Sequence, residues 1–196
     1  MRDDIPINAL ILASSSSRRK DILREYGVRF VPVSHRILNE PSFDGKISPE
    51  HFVEKLSMQK ARSIEADYPD NFILGSDTII FLDRAILGKP ESMGEALSML
   101  GALSGKVHEV YTGIGLVNKR LNVYESNYDR TLVRIKTLTQ DDIIKYVKTN
   151  DPLAKAGAYG IQDINGVVEY YDGSFTNVVG LCIEKLLPLF KKYGLS

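Results

Sequence analysis

The sequence has only one cysteine, Cys182, and no excess of either charge. A single cysteine excludes an internal disulfide framework, which is typical of proteins from a reducing compartment. The 25 basic and 25 acidic residues cancel, so the basic excess of a nucleic-acid-binding domain is absent. No apolar run reaches the roughly 20 residues that a membrane-spanning helix needs. The opening MRDDIP is too acidic for a signal peptide. We therefore expect a cytoplasmic protein without nucleic-acid or membrane partners.

Motifs of several enzyme classes are also missing. The three histidines, His35, His51 and His108, show no HExxH spacing, and there is no CxxC pair, which argues against a zinc site. The sequence has no P-loop, no GxGxxG and no GxSxG. Walker-type nucleotidase, Rossmann and α/β-hydrolase interpretations are therefore unsupported.

Helical and strand patterns alternate along the chain, which predicts an α/β or α+β fold. The hydrophobic content of 43% is enough for a core, and the length favours a single domain. Strands are predicted over 7–13, 28–33, 72–83, 84–87, 107–117, 128–138 and 166–180. Helices are predicted over 17–27, 48–66, 92–105, 139–150 and 181–194.

The first candidate site is the stretch SSSSRRK, which joins the first strand to the first helix. A helix N-terminus carries unpaired N–H donors and a partial positive charge, so it attracts anions. Serine hydroxyls add donors, and Arg18 and Arg19 add guanidinium groups that match phosphate oxygens. Cations in a first helical turn oppose the helix dipole, and a bound polyanion would offset that cost. The alternative is a solvated basic face beside a serine-rich turn.

The second candidate is Asp77, which interrupts the apolar run LGSDTII. A carboxylate in a buried strand is costly unless it is paired or bound to a metal. Asp77 is therefore a candidate metal ligand or general base. A turn aspartate is the alternative, but Asp83–Arg84 offers the better turn.

Three further stretches carry weaker signals. Lys89 precedes a capped helix and could bind phosphate as a point charge, or be a surface lysine. Lys60 lies close to the apolar stripe of its helix, where it could point into a cleft or extend to solvent. Gln162, in the glycine-bearing stretch AKAGAYGIQD, offers donors and an acceptor suited to a base edge, or belongs to an ordinary loop.

Taken together, these stretches resemble the Maf family in order and spacing, from about residue 8 to residue 190. The resemblance is carried by ILASSSSRRKDIL, QKA, GSDT, LGKP, LSGKVHEVYTGI, KAGAYGIQD and DGSFTNVVGL. It implies an α/β, ITPase-like (Maf) fold: a long, mixed, twisted sheet flanked by helices, with two lobes around a central cleft. It also implies one two-lobed domain over residues 1–196, and a homodimer, which family members often form.

The resemblance implies a nucleoside triphosphate pyrophosphatase that uses Mg²⁺ or Mn²⁺. Thr78 after the aspartate, together with GIQ in the later loop, resembles the branch that prefers dTTP and UTP and extends to modified pyrimidine nucleotides. The alternatives are a pyrophosphatase for 7-methyl-GTP or another modified nucleotide, and a non-catalytic nucleotide-binding regulator of cell division.

The resemblance also implies roles for individual residues. Asp77 matches the family's catalytic carboxylate, with Lys60 and Lys89 as cationic catalytic groups. Ser14, Arg18, Arg19, Thr78 and Gln162 match substrate-binding positions. Asp77 and Glu40 are the expected metal ligands, with Asp44 in reserve because Glu40 lies later than the family's usual acidic residue. Ser17 replaces a usual proline, and Cys182, expected to be a core thiol, replaces another.

Overall fold

The computed structural model describes residues 5–6 and 9–195 of the chain. The predicted start of the first strand, at residues 7 and 8, and residues 1–4 of the opening MRDDIP lie outside this range. The strands are β1 (Leu10–Leu12), β2 (Phe30–Pro32), β3 (Ile73–Leu82), β4 (Ala85–Leu87), β5 (Val107–Asn118), β6 (Val123–Ile135) and β7 (Val168–Asp172). The helices are α1 (Ser17–Glu25), α2 (Pro49–Arg62), α3 (Met93–Leu103), α4 (Gln140–Thr149), α5 (Phe175–Val179) and α6 (Ile183–Tyr193).

The strands of the described residues form one mixed sheet, in the order β2-β1-β3-β5-β6-β7, with β4 paired to β3. β1 is parallel to both β2 and β3, whereas β4 and β7 are antiparallel to their neighbours. This sheet and its flanking helices confirm the predicted mixed α/β class. No helix within residues 5–6 and 9–195 has the length and hydropathy of a membrane span.

Helix starts follow the capping residues of the sequence. Ser16 caps α1 by accepting from the backbone N–H of Arg19, and Ser48 caps α2, with Pro49 at its first position. Thr139 and Asp142 form a complete capping box at α4. At α3 the box is half formed, because Ser92 accepts from the Glu95 N–H but the Glu95 carboxylate accepts from the Glu91 N–H. Side-chain caps of this kind each contribute about 1 kcal/mol.

The predicted strand over 166–180 is wrong in its second half. β7 ends at Asp172, and residues 175–179 form the short helix α5. Gly173 has φ 129°, and the Ser174 hydroxyl accepts from the Asn177 N–H at 3.1 Å, which caps the helix. The Asn177 amide donates to Thr131 Oγ1 at 2.8 Å. These side-chain bonds favour a helix over the β propensity of the two valines that follow.

The chain divides into two compact units. Unit 1 comprises Met1–Asp77, Thr112–Asp129 and Gly180–Ser196, and unit 2 comprises Thr78–Tyr111 and Arg130–Val179. A buried cluster in unit 1 includes Ile11, Ile64, Ile73 and Val117. A larger cluster in unit 2 includes Ile80, Leu100, Val133 and Tyr146. The single two-lobed domain stays a prediction.

Three glycines let α2 lie directly on the sheet within unit 1. A Cβ added at Gly75 of β3 would lie 2.2 Å from the Ser57 carbonyl oxygen and 2.6 Å from the Ala61 nitrogen. Gly113 and Gly115 of β5 leave equally little room, because an added Cβ would meet α2 backbone at 2.5 and 2.7 Å. This approach matters for the site, since Lys60 of α2 precedes Ala61 and Asp77 follows Gly75 by two residues.

Candidate active site

The N-terminus of α1 is held by hydrogen bonds to Ser14, which precedes it, and to the backbone of Gly180. Ser14 is buried, and its hydroxyl accepts from the Ser16 N–H and from Arg19 Nη1, both at 3.2 Å. Arg19 Nε donates to the Gly180 carbonyl at 2.8 Å. The guanidinium is thus fixed before any ligand binds, which lowers the entropy cost of holding an anion.

Lys60 joins two carboxylates at the C-terminal end of α2. Its ammonium contacts Asp77 Oδ1, and it lies 2.7 Å from Glu40 Oε1. The Lys60 and Asp77 side chains are 5% and 12% exposed, whereas Glu40 is 47% exposed. A buried ammonium and carboxylate require such partners, because an unpaired charge in this environment is costly.

The α1 arginines and the acidic pair affect one another electrostatically. Burial lowers the pKa of the Arg19 guanidinium below its usual value. Asp77 and Glu40 oppose that shift, and Arg18 adds to it. Arginine nevertheless stays charged in proteins. Arg19 therefore brings a desolvated positive charge close to Asp77, the arrangement expected of a site that binds a polyanion.

The sequence does not predict three residues of unit 1 that lie near these groups: His35, Ser76 and Gly180. Burial and the Lys60 charge lower the pKa of His35, whose Nδ1 has no hydrogen-bond partner among the described residues. The buried Ser76 hydroxyl donates to the Gly180 carbonyl at 3.3 Å, the same oxygen that Arg19 uses. His35 was considered only as a metal ligand, and no local pattern relates Gly180 to residues more than 100 positions earlier.

The two acidic residues that were considered beside Asp77 differ in surroundings. Glu40 shares the Lys60 ammonium with Asp77, whereas Asp44 is exposed and pairs with Lys46 at 2.8 Å. The geometry therefore favours Glu40 over Asp44 as the carboxylate that lies beside Asp77 in the candidate site. No group of three or more His, Cys, Asp or Glu side chains suited to a metal occurs in the described part of the chain. Two converging carboxylates fit a hard cation such as Mg²⁺, which usually takes its other ligands from water and substrate phosphates.

The remaining predicted site residues belong to unit 2. Thr78 follows Asp77 in β3 and is half-buried, whereas Lys89 and Gln162 are exposed. Gln162 lies in a turn, in which the Asp163 N–H donates to the Gly160 carbonyl at 3.2 Å. Contacts with a nucleotide stay predictions for all three.

A family model and several relatives match nearly the whole chain. A family model described as Maf-like protein matches residues 9–193. A dTTP/UTP pyrophosphatase of Clostridioides difficile (strain 630) is 42% identical over 185 residues, 94% of each chain. Proteins of the same name from Symbiobacterium thermophilum and Bacillus anthracis are 40% identical, over 94% and 95% of this chain and 94% and 96% of their own. A solved structure of the Staphylococcus aureus Ham1 protein is 10% identical, with a TM-score of 0.43 over 65% of this chain and 71% of that chain.

Proposed function

Because the chain belongs to the Maf-like protein family, we propose that it is a nucleoside triphosphate pyrophosphatase acting on dTTP and UTP. Relatives of that name match it at 40–42% identity along nearly their full length. Their name supports both the reaction and the pyrimidine substrates. Modified pyrimidine triphosphates form a further proposed substrate class.

One observation supports the reaction most directly. The ammonium of Lys60 lies between the carboxylates of Asp77 and Glu40, in the unit whose α1 N-terminus carries Arg18 and Arg19. A triphosphate needs cationic groups, and its hydrolysis needs a carboxylate that can orient water. Lys60, Asp77 and the α1 arginines supply both.

The proposed reaction converts UTP and water to UMP and pyrophosphate. The water oxygen bonds to the α-phosphorus while the bond from that phosphorus to the α–β bridging oxygen breaks, and the bridging oxygen leaves with pyrophosphate. Asp77 orients the water and accepts its proton. Lys60 and Lys89 offset the charge that develops on the leaving group, since phosphoryl transfer depends mainly on positioning and charge stabilisation.

Substrate binding is assigned to the remaining predicted residues. Ser14, Arg18 and Arg19 bind the triphosphate through hydroxyl and guanidinium groups, consistent with the fixed geometry of Arg19. Thr78 and Gln162 contact the base. An amide such as that of Gln162 offers a donor and an acceptor to a pyrimidine edge.

A divalent cation, Mg²⁺ or Mn²⁺, is the proposed cofactor. Asp77 and Glu40 would hold it, and it would supply charge neutralisation for the phosphates and polarise the attacking water. Because Lys60 bonds to both carboxylates, its ammonium must share them with the cation or turn towards the phosphates. Cytoplasmic location is also proposed, on the single cysteine and the composition of the sequence, and homodimer formation is proposed on the resemblance alone.

A nucleotide panel tests the proposed function. Purified protein with Mg²⁺ is given UTP, dTTP, CTP, GTP and 7-methyl-GTP separately, and pyrophosphate release is measured. We expect kcat/KM for UTP and dTTP to exceed that for the purine nucleotides by about tenfold or more, because each unmet hydrogen bond at a base edge costs about 1–3 kcal/mol. A clear preference for 7-methyl-GTP would contradict the substrate assignment, and no pyrophosphate from any nucleotide would contradict the enzyme assignment.

A further inference from the structure

The turn that carries Gln162 is closed by an acidic residue, Asp163. Residues Gly160–Asp163 form a turn in which the Asp163 N–H donates to the Gly160 carbonyl at 3.2 Å. The same turn is closed a second time, because the Gly160 N–H donates to Asp163 Oδ2 at 2.9 Å. Gln162 occupies the corner of this doubly closed turn, with its side chain towards solvent.

The Asp163 carboxylate has two further partners. Lys155 Nζ donates to both of its oxygens, at 2.5 and 2.6 Å. The hydroxyl of Tyr146, on α4, donates to Asp163 Oδ2 and accepts from the Gly160 N–H at 3.0 Å. Asp163 and Lys155 are only 12% and 13% exposed. Three donors on one buried carboxylate tie the turn to α4 and to the chain that precedes it.

Two other features fit a rigid turn. A Cβ at Gly160 would lie 2.8 Å from Asp163 Oδ1, so a side chain at this position would displace the carboxylate from the turn. Burial, together with the Asp163 hydrogen bond, raises the pKa of the Tyr146 phenol above its usual value, which keeps the hydroxyl a donor. Before the turn, Tyr159 is anchored by its hydroxyl to His108 Nε2 at 2.6 Å.

A fixed turn has a specific value for a glutamine that contacts a pyrimidine. Uracil and thymine present a carbonyl acceptor at O4, whereas cytosine presents an amino donor at N4. A glutamine amide can match either edge, since it offers a donor and an acceptor that exchange places when it rotates. Discrimination therefore requires one orientation of the amide and also a backbone that is held in one place, because misplacement of about 1 Å already weakens such a contact and a backbone that shifts would let the amide meet either edge.

We infer that Asp163 is a positioning residue: by closing the Gly160–Asp163 turn, it holds Gln162 where the amide favours the uracil or thymine edge over that of cytosine. This inference rests on the proposed function. Lys155 acts through Asp163, because it reaches the turn only at that carboxylate. Tyr146 supports the turn at two points, the Asp163 carboxylate and the Gly160 N–H.

The test compares two double variants that both remove the charged pair. Lys155→Met with Asp163→Leu removes the carboxylate acceptor of the Gly160 N–H and leaves that N–H only the Tyr146 hydroxyl. Lys155→Met with Asp163→Asn keeps a carbonyl acceptor there. Changing both members avoids leaving one buried charge unpaired, which would be strongly destabilising. Glu169→Gln, in an exposed ion pair with Arg134 of the same unit, is the control and should behave as the wild type.

For the leucine variant we expect KM for UTP to rise about tenfold, the factor that corresponds to roughly 1.4 kcal/mol of lost binding. The ratio of kcat/KM for UTP to that for CTP should fall about fivefold or more, whereas kcat stays within about threefold. The asparagine variant should keep KM within about threefold of the wild type. Tyr146→Phe, a milder change that deletes one hydroxyl, should raise KM by an intermediate factor.

If Asp163 had a purely structural role, the leucine variant would contain less active enzyme, but its KM and its ratio of kcat/KM for UTP to that for CTP would be unchanged. That result would overturn the inference. Hydrogen exchange supplies a readout without nucleotide: the backbone amides of Gln162 and Asp163 should exchange faster in the leucine variant than in the asparagine variant. Equal rates would also overturn the inference. A wild-type protein inactive on UTP would contradict the proposed function, and the exchange result would still decide whether Asp163 fixes the turn.

Discussion

Replacing Asp77 by asparagine is expected to lower kcat for UTP by about 10²–10³-fold, the usual cost of deleting one electrostatic group from an active site. Asparagine has the shape of aspartate but cannot accept the proton of the attacking water, and it binds a hard cation more weakly. Lys60 keeps Glu40 as a partner at 2.7 Å, so the variant should still fold. Pyrophosphate release at saturating UTP and Mg²⁺ gives kcat, and circular dichroism checks the fold.

The matched control for this variant is Asp70→Asn. Asp70 belongs to the same unit but forms its ion pair with Arg120. Its replacement removes one carboxylate without touching Lys60, so kcat should stay within about threefold of the wild type. If Asp77→Asn also stayed within threefold, Asp77 would have no part in the reaction.

Replacing Gly75 by alanine is expected to lower the free energy of unfolding by about 3 kcal/mol or more, the upper part of the range for overpacking. The new Cβ would lie 2.2 Å from the Ser57 carbonyl oxygen and 2.6 Å from the Ala61 nitrogen. Both atoms belong to the backbone of α2, so no side-chain rotation can relieve the clash. The helix must move away from β3, and Lys60 would move away from Asp77 with it.

Urea denaturation measures this loss, and Gly101→Ala is its control. Gly101 lies inside α3, where an added Cβ meets nothing within 4 Å. Alanine should raise the free energy of unfolding there by about 0.5–1 kcal/mol. Opposite signs for the two variants are the expected result. If Gly75→Ala were as stable as the wild type, the close approach of α2 to β3 would be wrong.

The sequence predicted most elements because their ends carry local chemical signals. Ser16, Ser48 and Thr139 each cap a helix that is predicted to start at that residue or at the next one. The hairpin at Asp83–Arg84 was likewise predicted, and both residues have positive φ there. Such signals act over three or four residues, which is the distance that a sequence pattern describes.

The contacts of the candidate site could not be predicted in this way. Lys60 and Asp77 were singled out separately, but their ion pair depends on how closely α2 lies on β3. Gly75 permits that approach because it has no side chain. A glycine inside a strand does not show in the sequence which helix will pack against it. The double closure of the Gly160–Asp163 turn is not predicted either, because an aspartate at the end of a glycine-bearing loop gives no sequence signal that its carboxylate bonds back to Gly160.

The central claim is that water attacks the α-phosphorus of a pyrimidine nucleoside triphosphate. Hydrolysis of UTP in water enriched with ¹⁸O tests it most directly, with the products separated and their masses determined. The account predicts UMP that carries one ¹⁸O atom, and unlabelled pyrophosphate. Labelled pyrophosphate with unlabelled UMP would show attack at the β-phosphorus, and UDP with phosphate would show cleavage between the β- and γ-phosphates; either result would contradict the account.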